Sequence, residues 1–115
     1  MNIALTGATG FIGQHVGNYL QGLSYQVSAF PTDCFEAHEY YPLIEHKPDV
    51  LIHTAWPRLS DIHDLKHLDF ARQSCEFLQF CAQNGIRVIN IGSHNEYGVK
   101  FEPAAEDMIC EPIDT

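Results

Sequence analysis

The sequence predicts an α/β fold built on a parallel sheet of about four strands with flanking helices. Short apolar runs lack the alternation of half-exposed strands, which is typical of strands buried on both faces. Segments with helical spacing of apolar residues separate these runs. A glycine-rich turn joins the first run to the first helical segment. Because such alternation implies right-handed crossovers, we expect the strands in the spatial order 2-1-3-4.

The composition limits the classes of protein to which the chain can belong. Its 115 residues are enough for one domain. The formal net charge of -9, from six basic and 15 acidic residues, argues against nucleic acid or an anionic membrane as a partner. No apolar run is long enough to span a membrane, and no basic segment opens a signal peptide. The cysteines show no C-x-x-C spacing, which indicates reduced thiols and a cytoplasmic protein.

The first strand, residues 1–6, leads into the glycine turn, and a helix is predicted over residues 11–23. Gly7 allows a sharp turn off the strand, Gly10 allows close approach to a phosphate, and Gly13 allows the helix to pack on the strand. The helix N-terminus would offer free N–H groups and partial positive charge to a pyrophosphate. The alternative is a structural turn that binds no ligand.

The second strand is predicted at residues 25–30. In a nicotinamide-binding unit, an acidic residue about 20 positions beyond the glycines holds the ribose hydroxyls. Pro31 occupies the expected position and Asp33 follows slightly late, so Asp33 is a candidate ribose ligand. A solvated loop carboxylate is the alternative for Asp33. A short helix is predicted within residues 38–46, where Pro42 limits the position at which it begins.

Two further apolar runs predict the third strand at residues 50–55 and the fourth at residues 86–91. The third strand ends in small side chains, which leave room for a ligand at the carboxyl edge of the sheet. No further strand is evident beyond Val99. Because a complete doubly wound domain has more strands, we expect this sheet to be incomplete.

The longest helix is predicted over residues 61–84, with Asp61 or Asp64 as its cap. Spacings of three and four residues define its expected core face: Leu68, Ala71, Cys75, Leu78 and Ala82. Three aromatic residues lie largely off that face: Phe70, Phe77 and Phe80. We expect these rings either to meet another helix in a homo-oligomer or to be covered by another part of the same chain. An exposed sheet edge is a second route to self-association.

His63 and His67 lie four residues apart within this predicted helix, a spacing that can hold a metal ion. The sequence arranges no third ligand, so we interpret them as exposed helix histidines and predict no metal.

Four segments carry motifs that occur together in one family. Residues 6–13 follow the pattern T-G-x-x-G-x-x-G, and residues 48–55 form an apolar strand that contains P-D and ends in H-x-A. A strand ends at Gly92-Ser93, four residues before a Y-G pair, and Glu106-Asp107 precede Pro112. Together they resemble the extended short-chain dehydrogenase/reductase family, the sugar-nucleotide epimerases, dehydratases and 4-ketoreductases. The resemblance covers nearly the whole chain in the right order and implies a Rossmann-like sheet.

The resemblance implies a site for NAD or NADP. The implied cofactor-binding residues are Gly7, Gly10, Phe11, Ile12, Gly13, Asp33, Thr54, Ala55 and Trp56. Ser93 is the implied catalytic residue, since its hydroxyl can both donate to and accept from the reacting oxygen of the substrate. A strand-end cap is the alternative for Ser93. The position of Pro31 and the lack of a nearby arginine leave the choice between NAD and NADP open.

The resemblance also implies an activity: hydride transfer at a carbon of a nucleotide-linked sugar, by epimerisation, dehydration or 4-ketoreduction. Residues 1–115 would be the N-terminal NAD(P)-binding domain, truncated before the C-terminal substrate domain. The Tyr-x-x-x-Lys pair that the family uses as acid and base is absent from these residues, so we expect them to be inactive alone. One alternative is a stand-alone nucleotide-binding or regulatory module without catalysis, and another is a structural remnant without a ligand.

Overall fold

The computed structural model describes residues 1–30, 40–56, 61, 63–93, 97–98 and 102–111. In chain order its elements are β1 (Asn2–Thr6), α1 (Phe11–Gly22), β2 (Gln26–Phe30), α2 (Tyr41–His46), β3 (Val50–His53), α3 (Lys66–Gln83) and β4 (Val88–Asn90). All strand pairs in this part of the chain are parallel, and the spatial order is β2-β1-β3-β4. The predicted α/β class, parallel sheet and strand order are therefore confirmed.

The strand register aligns the carboxyl ends of the sheet at one edge. Thr6 at the end of β1 pairs with Phe30 at the end of β2 and with His53 at the end of β3. His53 pairs in turn with Asn90, the last residue of β4. The segments that leave β1, β3 and β4 consequently start side by side.

Apolar residues cover both faces of the sheet. One face packs against α2 and α3 through a buried cluster of Ala4, Tyr40, Leu43, Leu51, Phe77 and Cys81. The other face carries a second cluster of Ile3, Leu5 and Ile52, against which Val16 and Leu20 of α1 pack. Because successive strand residues point to opposite faces, uninterrupted apolar runs supply both clusters.

The predicted core face of the longest helix is wrong. Phe77 and Cys81 are fully buried and Phe80 packs against the same cluster, whereas Leu68 is 66% exposed. The predicted core face, made of Leu, Ala and Cys, has helical spacing, and so does the aromatic seam of Phe70, Phe77 and Phe80. Phenylalanine buries more apolar area than alanine or cysteine, so α3 turns its aromatic seam toward the sheet. Phe77 is therefore unavailable to a partner helix.

The boundaries of several elements also differ from the prediction. The long helix begins at Lys66 rather than at residue 61, and its N-cap is Leu65 rather than Asp61 or Asp64. The Asp64 carboxylate still accepts a hydrogen bond from the Lys66 N–H at 2.9 Å. Strand β3 ends at His53, and β4 spans only Val88–Asn90. The short helix occupies Tyr41–His46, and residues 38 and 39 lie outside the described part.

The amino edge of the sheet is closed by polar contacts. The backbone N–H of Asn2 donates to the Asp49 carboxylate at 2.7 Å. The Asn2 side-chain amide contacts both the backbone carbonyl and the ring of His46, which ends α2. These bonds join the starts of β1 and β3 to the end of α2, on the side opposite the glycine turn.

Candidate functional site

The backbone conformation and packing of the turn after β1 require glycine at two of its three glycine positions. Gly7 has a φ of +71°, and a Cβ there would lie 2.7 Å from the Thr54 hydroxyl and 2.8 Å from the Ala55 nitrogen. A Cβ at Gly13 would overlap the Gly7 carbonyl. The turn therefore packs tightly on the end of β3 and on the first turn of α1.

Gly10 differs from its two neighbours in the loop. A Cβ at Gly10 would meet the Gly7 carbonyl oxygen at 3.3 Å, a tight but tolerable distance, and its φ of −76° suits any L-residue. Gly10 donates its N–H to the Gly7 carbonyl at 2.9 Å and caps α1. The fold alone therefore does not require glycine here.

The N-terminus of α1 presents open backbone N–H groups. Its N-cap residue makes no side-chain capping bond, and its first turn contains no acidic residue. Phe11 is 83% exposed and Ile12 is half exposed, so the first turn of α1 lies at the surface. The Gln14 side chain donates to the Thr9 carbonyl at 2.7 Å and steadies the turn. This is the arrangement that helix N-termini use to bind anions.

A buried polar cluster connects β1 to β3 below the turn. Thr6 Oγ1 lies 2.7 Å from His53 Nδ1, and the Thr54 hydroxyl donates to the Thr6 carbonyl at 2.7 Å. His53 is 4% exposed, and its ring lies 5.1 Å from that of Phe77. Burial lowers the pKa of His53 below its ordinary value, so the ring is neutral at physiological pH.

A cavity of about 580 Å³ lies at the carboxyl ends of β3 and β4. It is lined by five of the predicted site residues: Ile12, Thr54, Ala55, Trp56 and Ser93. The structure thus brings residues from three distant segments to one wall. Gly7, Gly10, Phe11 and Gly13 lie on the adjoining turn and helix start rather than on the cavity wall. Asp33 lies outside the described residues.

Trp56 forms part of an aromatic group beside the cavity. Its indole is half exposed, lies nearly parallel to the His67 ring at 6.1 Å and meets the Phe70 ring edge-on at 6.5 Å. The His67 ring also contacts the Asp61 carbonyl oxygen at 3.2 Å. Within the described residues, no cluster of three His, Cys, Asp or Glu side chains could hold a metal.

The predicted site residues did not include six residues of the cavity wall: His53, Ser74, Leu78, Asn90, Ile91 and Gly92. His53 and Asn90 are paired strand ends, and the parallel register was the signal that would have placed them together. Ser74 and Leu78 are four residues apart on α3. Ser74 was missed because the helix was assigned the wrong buried face, whereas Leu78 was assigned to the core rather than to the site.

Comparisons with known proteins agree with this architecture. The NAD dependent epimerase/dehydratase family model matches residues 3–115. A dTDP-6-deoxy-L-talose 4-dehydrogenase (NAD(+)) of Aggregatibacter actinomycetemcomitans is 28% identical over 131 aligned residues, which cover 97% of this chain and 48% of that protein. The chain thus spans about half the length of this curated relative.

Solved structures of similar fold include two sugar-nucleotide epimerases. The UDP-glucose 4-epimerase of Thermus thermophilus, in complex with NAD, has a TM-score of 0.84 at 18% identity, covering 99% of this chain and 45% of that one. The UDP-glucose-4-epimerase of Stenotrophomonas maltophila, with bound NAD and formylated UDP-arabinopyranose, has a TM-score of 0.81 at 20% identity, covering 99% and 44%. At these identities the likeness concerns the fold.

Proposed function

The chain belongs to the NAD-dependent epimerase/dehydratase family, and from that premise we propose that residues 1–115 form an N-terminal NAD-binding domain. The observation that supports this most is the contrast within the glycine turn. Gly7 and Gly13 are required by the fold, whereas Gly10 borders open N–H groups and is not. A small residue at Gly10 suits close approach of a pyrophosphate to the backbone. The residues present therefore fit the cofactor.

The topology supports one orientation of bound NAD along the carboxyl edge of the sheet. The residue that reads the adenosine ribose follows β2 in dinucleotide-binding folds, so the adenosine half would lie on the β2 side of the turn. The nicotinamide half would then extend toward β3 and β4, where the cavity lies. Thr54, Ala55 and Trp56 would border its path, and Asp33 would be the ribose ligand.

The proposed reaction is hydride transfer at a sugar carbon, with C4 of a nucleotide-linked hexose as the favoured position. When bound, NAD supplies the hydride acceptor and, once reduced, the donor. Ser93 lines the cavity just beyond β4, at the end assigned to the nicotinamide. Its hydroxyl would hydrogen-bond the sugar oxygen that changes between alcohol and carbonyl. The relative that carries a 4-dehydrogenase name favours this position.

The acid/base pair of the proposed reaction does not occur in residues 1–115. No tyrosine of the sequence is followed by lysine four positions later. Proton transfer to the sugar oxygen needs such a group, with the lysine lowering the pKa of the tyrosine. We therefore expect these residues to bind NAD without turning over a nucleotide sugar.

The surface suggests homo-oligomerisation. The outward face of α3 carries exposed Leu68, Ala71, Cys75 and Ala82, and β4 leaves Ile89 about half exposed. Apolar helix faces and unpaired strand edges favour association with a second copy. In the part of the chain that the structure describes, no helix has the length and apolar character needed to cross a bilayer.

Fluorescence of Trp56 tests the proposed function, because Trp56 is the chain's only tryptophan and lines the cavity. Titration with NAD should change its emission in a saturable way, and the midpoint of thermal unfolding should rise with NAD concentration. Nucleotide sugar added with NAD should yield no NADH. Unchanged emission and an unchanged midpoint at millimolar NAD would contradict NAD binding, and NADH formation would contradict the proposed lack of turnover.

A further inference from the structure

Two adjacent polar side chains on α3 are buried without a hydrogen-bond partner among the described residues. They are Ser74, through its Oγ, and Gln73, through its Oε1. A serine within a helix often donates to a carbonyl one turn earlier, but the Ser74 hydroxyl makes no such bond. Buried polar groups are otherwise almost always bonded, so each exception calls for an explanation, such as an ordered water or a bound ligand.

The two side chains lie in different surroundings. Ser74 lines the 580 Å³ cavity together with Leu78, one helical turn further along, and faces the ends of β3 and β4. Gln73 does not line the cavity. The Phe77 ring, one turn after both, packs on His53 and fixes this part of α3 against the sheet. Of the two residues, only Ser74 therefore combines an unbonded side-chain atom with a position on the wall of the cavity that is assigned to the cofactor.

We propose that Ser74 is a further cofactor-binding residue, whose hydroxyl hydrogen-bonds the nicotinamide nucleoside half of NAD. Rotation about the single Cα–Cβ bond repositions the Ser74 Oγ between staggered positions, so no helix movement is needed. A hydroxyl can donate to the carboxamide oxygen or accept from its NH₂ group, and it can pair equally with a ribose hydroxyl. This inference rests on the proposed NAD binding.

The test compares Ser74→Ala with the wild-type chain by calorimetric titration with NAD and with ADP, which lacks the nicotinamide nucleoside. Loss of one neutral hydrogen bond should raise the Kd for NAD about five- to tenfold while leaving the Kd for ADP unchanged. The thermal midpoint of Ser74→Ala should be no lower than that of the wild type, because the change removes an unbonded buried hydroxyl.

Gln73→Met is the matched control, since it removes the neighbouring unbonded atom away from the cavity. It should change neither Kd. Equal Kd values for NAD in Ser74→Ala and the wild type would overturn the assignment of Ser74, as would a parallel rise for NAD and ADP. A wild-type chain that binds neither NAD nor ADP would instead contradict the proposed function itself.

Discussion

At the scale of single residues, three glycines with the same spacing serve different purposes. Gly7 needs its positive φ and its contact with Thr54 and Ala55, and Gly13 needs its contact with the Gly7 carbonyl. Gly10 has an ordinary backbone conformation and only one tight contact. Glycine is therefore a fold requirement at Gly7 and Gly13, and we propose that at Gly10 it is required by the ligand.

Gly10→Ala should weaken NAD binding by at least about tenfold, because its methyl group would keep the pyrophosphate from the helix N-terminus. The free energy of unfolding should fall by no more than about 1 kcal/mol, the usual cost of a poorer helix cap. Gly13→Ala is the comparison variant, because its methyl group must displace the Gly7 carbonyl. It should weaken NAD binding and also lower the free energy of unfolding by about 1–3 kcal/mol. Calorimetry and urea unfolding measure both effects. Wild-type affinity in Gly10→Ala would refute the ligand role.

The buried His53 makes stability depend on pH. Because burial lowers the pKa of His53 from its ordinary value of 6.5, the unfolded chain binds the proton more readily than the folded chain. Its contribution to stability is therefore complete above about pH 6.5 and is lost as the pH falls below that value. His53→Asn should show a smaller loss of unfolding free energy than the wild type between about pH 7.5 and 5.5. Identical losses in the two proteins would contradict this assignment.

Thr6→Val removes the hydroxyl that faces His53 while nearly keeping the shape of the side chain. We expect it to lower the unfolding free energy by about 1–3 kcal/mol, since the buried His53 Nδ1 loses the Thr6 hydroxyl. Urea unfolding at neutral pH measures the change. A Thr6→Val protein as stable as the wild type would show that the hydrogen bond contributes nothing.

At the scale of elements, the sequence predicts strands and helices better than the faces that the helices bury. Apolar runs located β1 and β3, because a strand buried on both faces is a continuous apolar run that can be recognised without knowing which elements pack against it. The buried face of α3 could not be assigned, since two seams share the same period and only the neighbouring sheet selects between them. The placement of Ser74 and Leu78 at the cavity depends on that selection.

Substitutions on opposite faces of α3 should have opposite effects. Phe77→Ala removes a fully buried ring and should cost about 3–5 kcal/mol of unfolding free energy. Leu68→Glu, at a position 66% exposed, should leave stability nearly unchanged and weaken self-association, because it places a charge in the proposed interface. Sedimentation equilibrium of both variants and the wild type measures the association. A wild-type monomer at high concentration, or full association of Leu68→Glu, would argue against this face.

At the scale of the whole molecule, topology explains how much of the site could be predicted. The strand order places the ends of β1 and β3 side by side, so the glycine turn and the segment 54–56 were predicted to share one site. Residues of α1, α3, β3 and β4, and of the segments that follow the two strands, together form the wall of the cavity. A volume formed by four separate elements has no local sequence pattern, which is why its full lining was not predicted.

The charge distribution along the chain predicts preference for NAD over NADP. No lysine or arginine precedes Lys47, so the segments on the β2 side of the turn supply no cation for a 2′-phosphate. The net charge of -9 disfavours the additional phosphate further. NADP should therefore bind at least about tenfold more weakly than NAD in parallel calorimetric titrations. Equal or tighter binding of NADP would contradict this.

The position of bound NAD tests the central claim most directly, and backbone amide shifts in NMR spectra report it residue by residue. Addition of NAD should shift the amides of Gly10, Phe11 and Ile12 together with the Trp56 indole N–H. Asn2 and Asp49, at the opposite edge of the sheet, should stay unchanged. Shifts concentrated at that amino edge, or none at millimolar NAD, would contradict a cofactor site at the glycine turn and the adjoining cavity.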